Sequence, residues 1–259
     1  MSLILTEFKD GVGTLTMNDA AKRNALSRAL TADAVAALAD FKAQGARAVI
    51  VRAARGTKVW SAGYDITELG DVEVDALGSS DGIRTLARAV EAFPAPVIAL
   101  LEGGVFGAAC ELAMVSDLIV ATPNVSFTIT PAKLGLVYNV SGLIALTRRL
   151  PIGIVKEMAF TAQPVSADRA HALGIINHIV AADDVERFTF DLAARIAALA
   201  PLAIATMKEE LRILADVVAL SPRTVEEMQR LRRRVWASAD YREGITAFRE
   251  RRSPVFRGE

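Results

Sequence analysis

The sequence predicts a mixed α/β fold that carries a helical C-terminal part. Three observations lead there. Apolar strand-like runs alternate with helix-spaced runs as far as Ile179. Four helix-like segments then follow with no strand signal between them. Apolar residues make up 52% and charged residues 23% of a 259-residue chain, which excludes a disordered or collagen-like polymer and leaves ample apolar surface for a core.

The elements follow in order. Residues 3–8 and 12–17 are short β-prone runs separated by Gly11 and Gly13, a hairpin pattern. Between Ser27 and Gln44 the apolar positions Leu30, Val35, Leu38 and Phe41 recur at helical spacing, and Gly45 stops the run. AVIVRA (48–53) is apolar apart from Arg52, as expected of a strand covered on both faces. Residues 54–80 are polar and dotted with glycine, a loop with one short helix. A helix near 81–92 ends before Pro94 and Pro96, and the strand VIALLE (97–102) comes next. DLIVAT (117–122) and SFTIT (126–130) continue the strands, while 183–199, 201–220, 223–238 and 240–251 are the late helices. The division expected is a core over residues 1–199 and a helical region over 200–259.

Composition narrows the function classes. Thirty basic residues balance thirty acidic ones, so no overall basic field exists to hold a nucleic acid or an anionic membrane. The single cysteine, Cys110, forbids an intrachain disulfide and reads as a small core residue. Two histidines, His171 and His178, are too few for a His-rich metal site and read as structural. The apolar stretch 97–121 is interrupted by Glu102, Glu111 and Asp117, each costly at a bilayer centre. A cytoplasmic, soluble protein without a metal is expected.

Two glycine turns carry the chemistry. LEGGVFGAACELAMVS places Glu102 where a dinucleotide-binding turn needs its first glycine, so a Rossmann site is not indicated. A helix starting near Gly107 instead presents unpaired N–H groups that can stabilise a negatively charged oxygen. A second turn lies in KVWSAGYDITEL (58–69), where Gly63 permits a tight bend and Asp65 can cap a short helix. Each turn alone also reads as ordinary helix–strand packing. Together they offer two N–H groups to one oxygen.

These residues resemble the crotonase, or enoyl-CoA hydratase/isomerase, superfamily. WSAGYDITEL looks like its first signature and EGGVFGAACELAMVSDLIVA like its second, and the likeness runs from about residue 12 to the C-terminus. The resemblance implies a spiral of β-β-α turns with a helical trimerisation region. It further implies an acyl-CoA thioester substrate, whose enolate is held by the backbone N–H groups of Tyr64 and Ala108. Ala108 departs from the family's usual glycine: its N–H survives, but its methyl crowds the thioester side. Coenzyme A would come as part of the substrate, with no separate cofactor. The expected oligomer is a trimer or a dimer of trimers.

The superfamily's hydratases use two glutamates. The first matches Glu111, but the second falls on Pro131. SFTITPAKLGLVYNVSGLIALTRRL (126–150) is instead similar to a decarboxylase branch of the superfamily, whose tyrosine matches Tyr138 and orients a substrate carboxylate, and whose threonine matches Thr130 in the acyl pocket. That implies loss of CO2 from methylmalonyl-CoA or a close malonyl-type analogue. The other readings are hydration or isomerisation through Glu111, and an acyl-CoA-binding homologue without chemistry. Contacts to the coenzyme A part are implied at Lys22, Ala25, Ala62, Gly63, Asp65, Ile66, Gly107, Phe248 and Arg251. On spacing alone, Lys22 and Arg23 read as a solvated loop. The C-terminal element bearing Phe248 and Arg251 is one the family often contributes across a subunit interface. Residues 223–259 hold ten arginines against six acids, a local excess suited to a CoA phosphate.

Overall fold

The computed structural model describes residues 2–69, 82–215 and 222–257. Strands β1 (Ile4–Lys9) and β2 (Val12–Met17) form an antiparallel hairpin closed by Asp10–Gly11, both at positive φ. That is the two-residue turn whose twist suits paired strands, and Asp-Gly is its favoured sequence. Ser27 caps α1 (Arg28–Ala43), its Oγ accepting from Leu30 N at 3.1 Å.

From there the chain winds through repeated strand–strand–helix turns. The first strand of each turn joins a large parallel sheet: β3 (Ala48–Ala53) pairs with β2, and the sheet continues through Val97–Leu101, Leu118–Ala121 and His178–Ile179. The second strand of each turn joins a smaller sheet: β4 (Val59–Ser61) pairs with Gly104–Phe106 and that with Ser126–Thr128, while Val165–Ser166 closes the edge antiparallel. In chain order these strands are β5 (Val97–Leu101), β6 (Gly104–Phe106), β7 (Leu118–Ala121), β8 (Ser126–Thr128), β9 (Val165–Ser166) and β10 (His178–Ile179). Helices α2 (Gly82–Glu91), α3 (Ala108–Val115) and α4 (Val140–Arg149) complete the three turns.

Both faces of the central strands are covered, which is why β3, β5 and β7 read as near-continuous apolar runs, with Arg52 the one charged residue in them. Val49, Val51, Val97, Ala99 and Leu101 join Leu30, Phe41, Leu86 and Leu112 in one cluster. The alternate residues Ala48, Ile50, Ile98, Leu100 and Val120 pack with Val185, Ala193 and Ala197 of α7 (Val185–Ala197). Burial of Ile50 and Ile98, both fully inaccessible, contributes about 1.5–3 kcal/mol each. Arg52 emerges on the α7 side and pairs with Glu186 at 2.9 Å.

Three features depart from the pattern read in the sequence. The glycine run before α3 is not only a turn, because Gly104–Phe106 forms β6. The stretch 131–180, where the sequence reading placed only a helix pattern at His171 and a strand beside His178, holds α4, α5 (Ile152–Thr161) and α6 (Ala167–Ala172) besides the two short strands. Within the 54–80 loop, β4 and a 3₁₀ turn at Ile66–Glu68 are described, and residues 70–81 lie outside the described residues.

The late helices are α8 (Pro201–Ala215), α9 (Pro222–Trp236) and α10 (Ala239–Arg249); residues 216–221 of the expected 201–220 helix and its linker lie outside the described residues. Helix α8 buries no residue, yet it is tethered: Lys208 Nζ donates to Val90 O at 3.2 Å, Ala95 O at 3.1 Å and Asp117 Oδ2 at 2.7 Å. Its Leu202, Leu211 and Leu214 are 80%, 66% and 67% exposed. Trp236, Tyr241 and Ile245 pack with Leu69 in a separate cluster reaching Tyr64 and Ile66. Among the described residues no single helix is long and apolar enough to cross a membrane.

Candidate active site

Two strand ends of the small sheet build the site. Residues 23–27 are stitched to the end of β4: Ala62 N donates to Arg23 O at 2.9 Å, Leu26 N to Gly63 O at 2.7 Å, and Ser61 Oγ to Asn24 O at 2.7 Å. Asn24 sits at φ +51° and donates from Nδ2 to Trp60 O at 3.0 Å; asparagine tolerates that left-handed conformation better than most side chains. Gly63, at φ +83°, comes next. A Cβ there would lie 2.4 Å from Phe106 O and 3.1 Å from Ala108 N, so only glycine lets the Tyr64 turn lie against the Ala108 turn.

The second strand end is β6. Gly107 takes φ +51°, its N–H donates to Thr128 O at 2.9 Å, and α3 begins with Ala108. The first N–H groups of an α-helix have no acceptor within it. Ala108 is not among the positive-φ residues, so its departure from glycine adds a methyl without backbone strain.

These turns open onto a cleft of about 1140 Å³. Of the residues expected at the site, Lys22, Ala25, Ala62, Tyr64, Asp65, Ile66, Gly107, Ala108, Thr130, Tyr138, Phe248 and Arg251 line it. Gly63 and Glu111 do not. Gly63 acts from behind, through the close approach just described. Glu111 is buried in α3 and its Oε2 accepts from Asn139 Nδ2 at 2.6 Å. It is Asn139 that lines the cleft.

Tyr138 is buried, and its hydroxyl donates to Gly107 O at 3.0 Å. Burial, with Cys110 and Glu111 nearby, pushes its phenol well above the usual value, so the proton stays on. Burial likewise pushes the Cys110 thiol up to about 12, keeping it neutral. The main-chain carbonyl of Tyr138 accepts from Arg232 Nη1 at 2.6 Å, and Arg232 is 8% exposed. Asn139 caps α4, with Oδ1 accepting from Gly142 N at 3.1 Å.

At the mouth, Lys22 Nζ pairs with Asp65 Oδ2 at 2.8 Å. Asp65 also caps the 66–68 turn, accepting from Thr67 N at 3.1 Å and Thr67 Oγ1 at 2.6 Å. Burial alone would raise the Asp65 carboxyl; its bonds to Lys22 and Thr67 outweigh this and lower it. Asp65 is the sole carboxylate lining the cleft among the described residues. No group of three or more His, Cys, Asp or Glu that could hold a metal occurs among them. His171 holds Ile176 O at 2.8 Å, and His178 packs on Phe188 at 5.0 Å between ring centroids.

Phe248 and Arg251 line the cleft of their own chain. Close packing explains this. A Cβ on Gly244 would lie 2.0 Å from Leu134 O, so α10 sits directly on the Pro131–Leu134 turn and carries its end over the cleft.

Three residues escaped the sequence reading: Asn24, Asn139 and Arg232. Asn139 alone left a local signal, a capping residue just before an apolar helix. Arg232 acts across 94 positions of sequence, a pairing no local pattern reports.

Residues 7–259 match the family described as enoyl-CoA hydratase/isomerase. The methylmalonyl-CoA decarboxylase of Escherichia coli (strain K12) is 44% identical over 247 residues, covering 95% of each chain. The carnitinyl-CoA dehydratase of Proteus mirabilis (strain HI4320) is 33% identical over 249 residues, covering 93% of each. Among solved structures, a methylmalonyl-CoA decarboxylase in complex with 2-nitronate-propionyl-CoA is 42% identical, with TM-score 0.96 over 99% of both chains. A carnitinyl-CoA hydratase from Mycobacterium avium is 26% identical, with TM-score 0.81 over the whole of both chains.

Proposed function

Because the chain belongs to the enoyl-CoA hydratase/isomerase family, we propose that its cleft decarboxylates methylmalonyl-CoA to propionyl-CoA. The chain is an enzyme of the lyase type and an acyl-CoA decarboxylase of that family. One observation favours this chemistry over hydration. The cleft joins the Tyr64 and Ala108 turns, yet Pro131 lines it where a second glutamate would be needed, and Glu111 lies behind Asn139. General acid–base addition of water lacks its pair of carboxylates.

Decarboxylation needs no base. The bond between Cα and the carboxylate breaks, CO2 leaves, and the electron pair moves into the thioester as an enolate. The N–H groups of Tyr64 and Ala108 donate to the thioester oxygen and strengthen as its charge grows, which is differential binding of the transition state. Removing one such donor costs roughly 3–4 kcal/mol elsewhere. A proton then adds to Cα. Thr130 and Tyr138 flank the reacting carbon, and a carboxylate at position 131 would repel the substrate's own. Lys22, Ala25, Ala62, Asp65 and Ile66 hold the coenzyme A portion with Phe248 and Arg251, and no separate cofactor takes part. Residues 200–259 form an assembly region for a homotrimer or dimer of trimers, and the enzyme works in the cytoplasm without nucleic acid or membrane.

The deciding experiment incubates the protein with methylmalonyl-CoA and with crotonyl-CoA, following CO2 release and loss of the enoyl chromophore. CO2 release with crotonyl-CoA untouched is expected. Hydration of crotonyl-CoA without CO2 release would overturn the proposal.

A further inference from the structure

Tyr138 has one proton, and it is directed at Gly107 O, 3.0 Å away. That carbonyl and the N–H of Ala108 belong to one peptide plane. We propose that Tyr138 is a positioning residue for the Ala108 donor: its hydroxyl fixes the Gly107–Ala108 peptide and draws electron density to the carbonyl, making the N–H opposite a stronger donor. This rests on the oxyanion reading of Tyr64 and Ala108.

The physical basis is peptide resonance. A hydrogen bond accepted by a carbonyl increases the double-bond character of its C–N bond and the positive charge on its N–H, a gain of about 10–30% per bond in linked chains. The peptide needs such a hold. Gly107 lies outside the helical region at φ +51°, and its carbonyl also accepts the 2.9 Å turn contact from Cys110 N. Tyr138 is itself immobilised. Buried Arg232 of α9 clamps its carbonyl at 2.6 Å, and its ring packs so closely on Gly142 that a Cβ there would lie 2.5 Å from Cε1. Its high pKa keeps the proton available at any working pH. Were that proton given to a substrate carboxylate instead, Gly107 O would lose this bond. The two roles therefore compete for one hydrogen.

A ligand without a carboxylate separates them. Propionyl-CoA labelled with 13C at the thioester carbonyl is bound to the enzyme and its carbonyl stretch recorded by difference infrared spectroscopy. In the native enzyme the stretch is expected below that of the free ligand. Tyr138→Phe should return the stretch part of the way towards that of the free ligand and reduce kcat for CO2 release about tenfold, the scale of one net hydrogen bond, with KM changed less than about twofold. An unchanged stretch in bound Tyr138→Phe would overturn the proposal, as would a native enzyme that leaves the stretch unshifted. If Tyr138→Phe fails to fold, Arg232→Lys, which slackens the clamp on Tyr138, decides in the same way: a partial return of the stretch supports the proposal and no change overturns it. A lowered stretch that depends on Tyr138, in an enzyme that releases no CO2, would sink the decarboxylase assignment alone.

Discussion

Asp65 combines two tasks in one carboxylate, capping the 66–68 turn and pairing with Lys22. Its folded pKa is depressed, so its contribution to stability is present above the ordinary carboxylate range, about pH 4, and is lost as pH falls through the depressed folded value. Thermal unfolding followed from pH 6 to pH 2.5 should show part of the acid sensitivity vanish in Asp65→Asn, with the native Tm above pH 5 lowered. Asn139 is a second residue with two tasks. Asn139→Ala removes the α4 cap, worth about 1 kcal/mol, and takes a donor from buried Glu111, worth about 1–3 kcal/mol more. Urea unfolding should register a loss of that order, and Asn139→Ser should recover the cap portion. The site residues named from the sequence were those carried by turn chemistry or by the family resemblance. Glu111 was legible as an acid in an apolar helix, but its confinement behind Asn139 was not, since position 139 meets position 111 only through folding.

At the scale of elements, glycine decides where helices sit. Gly244→Ala would drive a methyl into Leu134 O, lifting α10 from the 131–134 turn. Phe248 and Arg251 would then leave the cleft, so KM for the CoA thioester should rise about tenfold or more while the Tm of the α/β core stays within a few degrees. Unchanged steady-state kinetics would refute that arrangement. The long elements were readable because burial on two faces, or on one stripe, leaves a periodic record: β3 is Ala48–Ala53, as the apolar run indicated, and α1 and α2 fall within a residue or two of their expected limits. The small sheet was not readable as a whole. Strands of two or three residues such as β6, β9 and β10 are too short to show alternation, and β6 hides inside a glycine run.

For the whole molecule, neutrality conceals an uneven distribution: apolar side chains stand out on α8 and arginines gather beyond Ser221. Leucines as exposed as Leu202, Leu211 and Leu214 form an apolar face that the proposed homo-oligomer would cover. Leu211→Asp combined with Leu214→Asp should convert the sedimenting species from an oligomer to a single chain, with the far-ultraviolet circular dichroism of the core retained. An unaltered sedimentation coefficient would refute this role for α8. The seating of α10 over its own chain's cleft also orders events during synthesis. Asn139 leaves the ribosome 112 positions before Arg251, a delay of roughly 6–22 s at ordinary elongation rates. For that interval the nascent chain holds every other wall of the cleft with one side open to solvent, so the cleft is finished only when translation is nearly over.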